Sequence, residues 1–364
     1  SGSGVLTITA PNTSTDRTVT LPDSTGTLLD TTSGLDATKL SGNLPAISAA
    51  SLTNVPKDVT VGGRKNMLIN GGFDVWQRGT SLAGASKFLA DRWFNTSTET
   101  QSRQTFTVGQ TDVPHNPTYY HRGTSGSSEF YERRQAIENV AITAGREVTL
   151  SYWMKGSSAF TNAPYSTQDF GTSGSSDVAA ALSTASITTS WARYSHTFTP
   201  PSISGKTVGA SNYLLLSVLR ANITNITVEM ANVQFEFGSV ATDFEQRSYG
   251  EELALCQRYY QQFGHASVEQ PIGAGVFNDA TQILAFFPYL KEMRAIPTTS
   301  VSSNGFVRAY SGYSGSKIST GGTVIDGITA TSARLNVDFS SSTAGQGAFL
   351  QIVAGQYIYL NAEL

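Results

Sequence analysis

Short alternations of apolar and polar residues, rather than a 3.6-residue rhythm, run through most of this chain. Within 147–155, Val148, Leu150, Tyr152 and Met154 form one set, and Thr149, Ser151 and Trp153 form the other. The two sets face opposite sides of a sheet. Strand-like runs also cover 88–94, 103–108, 130–137, 192–198, 213–218 and 226–237, with Gly, Ser, Asn and Pro clusters between them. Pro200-Pro201 ends one run, because proline has no N–H for a ladder. Short strands at this spacing predict a jelly roll or β-sandwich over 65–247. Five more runs, at 283–287, 301–310, 323–328, 333–339 and 349–360, predict a smaller β-sandwich over 265–364. The fold class is therefore mostly β.

One stretch, 248–263, reads as a helix. Ser248 followed by Glu251 fits a capping box, Leu253, Cys256 and Tyr260 share a face, and Gly264 is a stop. This predicts a connecting helix over 248–264. Residues 1–64 are different. Val5 to Ala10 alternates, Val19 and Leu21 repeat the spacing, and Pro22-Asp23-Ser24-Thr25-Gly26 reads as a turn. The stretch 35–55 has sparse apolar residues and almost no aromatic ones, so it cannot close a core alone. It is ordered by copies of itself around an axis, or else it is a linker. Ser1-Gly2-Ser3-Gly4 reads as a cloning scar.

Charged residues make up 14% of the chain, against roughly 25% in an ordinary soluble domain. Lys plus Arg is 24 and Asp plus Glu is 27, a net charge of -3 without long single-sign runs. The clustered cations of a phosphate-backbone binder are missing, which argues against a nucleic-acid partner. One cysteine, Cys256, allows no internal disulfide and no multi-cysteine zinc site. That pattern fits folding in a bacterial cytosol followed by release through another route. No apolar run is long enough to span a bilayer, so no membrane insertion is expected.

Two segments carry a resemblance: Asn66-Met67-Leu68-Ile69-Asn70-Gly71-Gly72-Phe73-Asp74-Val75-Trp76-Gln77-Arg78-Gly79 and Tyr249-Gly250-Glu251-Glu252-Leu253-Ala254-Leu255-Cys256-Gln257-Arg258-Tyr259-Tyr260. With the strand-rich region between them, they resemble bacteriophage tail-fibre and receptor-binding proteins that contain a carbohydrate-binding jelly roll. The runs 7–11, 16–22 and 26–29 are similar to a segment of phage fibre shafts. Phe286-Phe287-Pro288, 293–298 and 357–364 resemble the terminal domain that follows the helix in such proteins. The resemblance implies a homotrimer with an intertwined N-terminal shaft over 1–64, joined to other tail proteins of the virion. It implies adhesion to bacterial surface polysaccharide or lipopolysaccharide without cleavage. A structural fibre or decoration protein and a glycan depolymerase are the alternatives.

Sugar recognition uses flat aromatic rings and planar polar groups. Two aromatic sets in expected loops are candidates: Tyr119, Tyr120 and His121, and then Phe160, Tyr165 and Phe170 in the long polar stretch 156–177. The competing reading is that each set packs under its own loop or at a subunit contact. Trp76, Trp93, Trp153 and Trp191 read as core. Related jelly rolls bury the tryptophan at the place of Trp153, and many carry Asp where Ala231 stands. That departure removes the basis for a structural calcium, and no metal or cofactor is assigned. Glu129, Glu132, Glu138, Asp169 and Asp177 are the available acids for glycan cleavage, but no spacing marks a pair. His115, His121, His196 and His265 show no metal spacing, and Cys256 reads as a packed thiol.

Overall fold

The computed structural model describes residues 64–364 except 85–86, 125–127, 304, 312–314, 321–322 and 341–342. Apart from Arg64, the expected shaft over 1–64 lies outside the described residues. The described residues belong to one compact unit.

In chain order the first strands are β1 (Ser81–Ala83), β2 (Lys87–Phe88), β3 (Phe94–Asn95), β4 (Thr100–Thr105), β5 (Tyr119–Thr124), β6 (Ser128–Glu138) and β7 (Val148–Gly156). Then come β8 (Phe160–Asn162), β9 (Tyr165–Asp169), β10 (Val178–Ala181), β11 (Ala185–Ile187), β12 (Ala192–Phe198), β13 (Tyr213–Thr224) and β14 (Thr227–Phe237). They form two six-stranded antiparallel sheets, ordered β1-β4-β5-β14-β7-β12 and β10-β9-β13-β6-β3-β2, with β8 and β11 as a separate pair. The inner faces share one core that includes Trp93, Tyr131, Leu150, Tyr152, Leu216 and Phe235.

Alternation sets these faces, and bulges reset them. In β14, Val228 and Met230 point inward, and after a register shift between Ala231 and Gln234 the inward set becomes Val233, Phe235 and Phe237. Asn232 sits in the left-handed region (φ 46) at that bulge. β13 shifts between Ser217 and Leu219, so Leu214 and Leu216 give way to Leu219, Ala221 and Ile223.

Helix α1 spans Tyr249–Gln257. Ser248 accepts from the Glu251 amide, as a cap should, but the Glu251 carboxylate turns away to Arg64 (3.0 Å). The expected helix to 263 is thus corrected: Tyr260–Phe263 is a strand, β15. The cause is tertiary, since β15 pairs with a distant strand near residue 360. The remaining strands are β16 (Gln270–Phe277), β17 (Gln282–Pro288), β18 (Thr298–Val301), β19 (Val307–Ser311), β20 (Gly315–Ile318), β21 (Thr323–Asp326), β22 (Ser332–Asp338), β23 (Gly347–Ile352) and β24 (Ile358–Asn361). A three-stranded sheet, β15-β24-β18, faces a seven-stranded one, β20-β19-β23-β16-β17-β22-β21. Phe263, Phe287, Phe306, Phe339, Leu350 and Leu360 fill the space between.

The two segments that carry the family resemblance meet at the joint between these layers. Asn70 (φ 57) turns the chain, its side chain bonds Val75 N, Val75 O and Asp91 O, and its amide donates to Glu252 Oε1 (2.5 Å). Gly71 follows, where a Cβ would lie 2.1 Å from the Val233 carbonyl. Gln77 Nε2 donates to the Tyr260 carbonyl (3.0 Å). The Arg78 guanidinium covers the Tyr260 ring at 3.6 Å, and Arg92 covers Tyr259 at 3.4 Å. Both arginines pair with Glu363. These residues hold the two layered cores together.

Candidate ligand cleft

The outer face of the second sheet carries a concavity. Outward positions are those left over from the core: Tyr165, Thr167 and Asp169 on β9, Tyr213, Leu215 and Ser217 on β13, and Arg134 and Ala136 on β6. Register aligns them in rows. Asp169 lies opposite Tyr213, which lies opposite Glu138; Thr167, Leu215 and Ala136 form the next row; Tyr165, Ser217, Arg134 and Phe94 form the third.

Over this floor lies a cleft of about 440 Å³, lined by Phe94, Arg134, Asp169, Asp177, Tyr213 and Leu215 among others. Phe88 and Phe94 make one wall, edge to face at 5.0 Å. The Arg134 guanidinium lies 5.0 Å over the Phe94 ring and holds Glu132 at 3.2 Å, while Ser217 Oγ donates to the other oxygen of Glu132 at 2.5 Å. Burial, and a hydrogen bond to the Asp169 carboxylate, push the Tyr213 hydroxyl up to about 12. It therefore stays protonated, a fixed donor. Asp169 also accepts from the Gly171 amide (2.7 Å), which starts the turn leading to Asp177. That turn is pinned by a bridge between Thr172 and Ala210. Asp177 is exposed at the rim. Arg92, fully buried, contributes a further wall, and its Nε has no hydrogen-bond partner among the described residues.

Of the six aromatic candidates, the structure brings one to this face. Tyr165 lies on it, one row beyond the cleft floor, with the Arg220 guanidinium 4.8 Å over its ring. Phe170 is fully buried and Phe160 packs against the core, so the stretch 156–177 is not one loop but holds β8 and β9. Tyr119, Tyr120 and His121 open strand β5, not a loop, and alternation splits them between faces. Tyr119 sits beneath Arg103 at 4.3 Å. Tyr120 packs on Phe106 (4.6 Å) and Trp191 (5.5 Å) on the outer face of the first sheet. His121 is completely buried against Trp76 and bonds Gln101 (3.0 Å), and burial pushes its pKa well down, so it is neutral. His121 and Phe170 have no surface to offer a ligand.

The tryptophans divide. Trp76 and Trp93 are in the main core, whereas Trp153 and Trp191 are half-buried around the small cluster of Phe106, Val113 and Ala231. Nearby, Glu229 is flanked by Arg122 (2.5 Å) and Lys155 (3.0 Å), a neutralised arrangement on the first sheet's outer face. Of the acids, Asp169 and Asp177 line the cleft, and Glu132 and Glu138 border it; only the backbone of Glu129 is described. Among the described residues, no group of three or more His, Cys, Asp or Glu side chains could hold a metal, and no helix is long and apolar enough to cross a membrane. Arg134 and Tyr213 were not among the candidates. The available signal was alternation in 213–218, where the less apolar set (Tyr213, Leu215, Ser217) must face outward.

No family model and no curated protein matches the chain. Among solved structures, it is similar to the CBM22-1–GH10 modules of the Clostridium thermocellum endo-1,4-β-D-xylanase 10B at 12% identity and TM-score 0.34, over 49% of this chain and 30% of that one. The CBM22-2 xylan-binding domain of Paenibacillus barcinonensis Xyn10C gives 15% identity and TM-score 0.30, over 40% and 92%. The enzymatically active domain of bacteriophage CBA120 tailspike protein 4 gives 12% identity and TM-score 0.30, over 47% and 21%.

Proposed function

We propose that the chain is a non-catalytic glycan-binding protein of the phage tail-fibre class, gripping bacterial surface polysaccharide or lipopolysaccharide through the cleft on the second sheet. The cleft itself carries this reading. Its volume falls in the range of about 300–1,000 Å³ typical of small-molecule sites. It combines an aromatic wall for C–H faces, carboxylates that accept from hydroxyls, Arg134 as a donor, and Tyr213, whose one proton goes to Asp169, as an acceptor that also orients that carboxylate. Every one of these stands on a strand or, for Asp177, directly before one, so little ordering is needed on binding.

In this proposal the shaft over 1–64 makes a homotrimer and attaches to other virion tail proteins. Three modest sites on one object then raise avidity without strengthening any site. A depolymerase is the second reading, because Asp169 and Asp177 face one cleft, as the paired acids of a glycosidase would. The deciding experiment is binding of the whole chain to a panel of lipopolysaccharides and capsules, with reducing ends assayed in parallel. Saturable binding, competed by the free oligosaccharide and weakened by Asp177→Ala, is expected. Release of reducing ends would replace adhesion with cleavage. Absence of binding across a panel that includes the host's own glycans would leave a structural fibre.

A further inference from the structure

The cleft does not end at the edge of the second sheet. Its first row runs Asp169, Tyr213, Glu138, and Glu138 belongs to a second cavity of about 340 Å³. That cavity is lined by Glu138, Asn139, Ser211, Asn212, Arg294 and Ala295, and Leu364 lines both hollows. Its floor passes from the first sandwich to the loop before β18, across the joint.

The groups in it are suited to hydroxyls. Glu138 is already compensated: Arg258 grips it at 2.9 and 3.1 Å, the Tyr259 hydroxyl donates to it, and with Arg294 nearby these contacts outweigh burial and hold its pKa below the usual carboxylate value. Arg294 spends its Nε on the Ala362 carbonyl (3.0 Å), and its two terminal nitrogens make no hydrogen bond among the described residues. They are a donor fork at the cavity wall. Asn139 and Ser211 both adopt positive φ (69° and 58°), placing two short polar residues at the rim.

Resting on the cleft reading above, we propose that the ligand is a linear glycan that runs from the cleft past Leu364 and onto the terminal sandwich, with Arg294 donating to hydroxyl oxygens of its distal residues. The joint built by the Asn66–Gly79 and Tyr249–Tyr260 segments then has a second role. It fixes the distance between two halves of one binding groove, so that a long chain meets both without reordering either.

The test uses O-chains and capsular polysaccharides, partially hydrolysed and separated by length, titrated calorimetrically into the whole chain. Affinity is expected to rise by about tenfold or more from disaccharide to hexasaccharide. Arg294→Ala should abolish that rise and leave disaccharide affinity unchanged. Ala295→Trp, which adds bulk at the second cavity while keeping Arg294, should do the same. Asp177→Ala should weaken all lengths. Equal affinity at all lengths, or a rise that survives both second-cavity variants, overturns the extended groove and leaves the cleft in place. No binding of any fragment overturns the cleft and the groove together.

Discussion

Replacing Glu363 by alanine should loosen the joint more than any other single change of a charged side chain there. Its carboxylate is 5% exposed and is shared by Arg78 (3.1 Å, 12% exposed) and Arg92, which is 1% exposed. Removing it leaves Arg92 stacked on Tyr259 and bonded to the Ala136 carbonyl (2.6 Å), but without an anion. Arg78 keeps Asp91 at 3.2 Å. Breaking one partner out of a buried pair costs about 3–5 kcal/mol, because the surviving charge stays desolvated. With an unfolding entropy of about 2.1 cal/mol/K per residue, a unit of this size shifts by about 1.5 °C per kcal/mol, so the melting temperature should fall by about 5–8 °C. The control is Arg334→Ala, whose partner Asp326 lies 2.6 Å away on an exposed surface (55% and 32% exposed); such pairs contribute about 0–1 kcal/mol. Urea denaturation followed by tryptophan fluorescence reads the first sandwich, which contains all four tryptophans. A Glu363→Ala variant as stable as Arg334→Ala would refute the reasoning. It would mean that water or a rearranged arginine replaces the carboxylate at no cost. A second check is Arg92→Met with Glu363→Leu, which should recover most of the loss if desolvation of an orphaned charge is the cause.

Gly71→Ala places a Cβ 2.1 Å from the Val233 carbonyl and should cost at least about 2 kcal/mol, checked by the same denaturation. Burial, with Glu252 nearby, raises Asp74 from 3.8 to about 6, so the folded state prefers its protonated form. A raised folded-state carboxyl is a cost above pH 6 that shrinks as pH falls toward 3.8. Asp74→Asn should therefore be more stable than the parent by up to about 3 kcal/mol near pH 7.5, with the advantage nearly gone at about pH 4; a constant difference across that range would be the wrong outcome. Acidification should separately weaken both proteins below about pH 6.5, because His121 and His196 are held neutral by burial. In the cleft, Tyr213→Phe removes the hydroxyl that orients Asp169 and should weaken glycan binding by about tenfold at nearly unchanged melting temperature; unchanged binding would remove Tyr213 from the site.

The mostly β architecture was legible because burial on one side of a sheet imposes period two, which Val148 to Met154 shows, and because short apolar runs such as Ile283 to Phe287 sit between turn residues. Breaks in the rhythm hid the rest. The bulges at Asn232 and after Ser217 exchange inward and outward sets within single strands, which no uniform alternation describes. Tyr260–Phe263 continues the helical spacing of α1, yet pairing with β24 overrides it, an outcome decided by residues a hundred positions away. The two aromatic triplets are not brought together, for a related reason. Tyr119, Tyr120 and His121 are adjacent in sequence, and adjacency in a strand separates side chains onto opposite faces.

The same separation also explains where the cleft residues are found. A ligand face on a sheet is assembled across strands, so its members lie far apart in the chain: Phe94, Arg134, Asp169 and Tyr213 come from β3, β6, β9 and β13. Each is a single outward position in a run whose inward positions are fixed by the core. The same geometry frees those positions to change, since replacing an outward residue alters the cleft without opening a cavity behind it. The resemblance-bearing segments have no such freedom. Asn70 satisfies three backbone groups with its side chain, Gly71 admits no Cβ, and Glu252 receives the Asn70 amide. The segments that carry the resemblance are therefore those that hold the joint, and the residues of the proposed ligand cleft are ones a sequence pattern leaves unmarked.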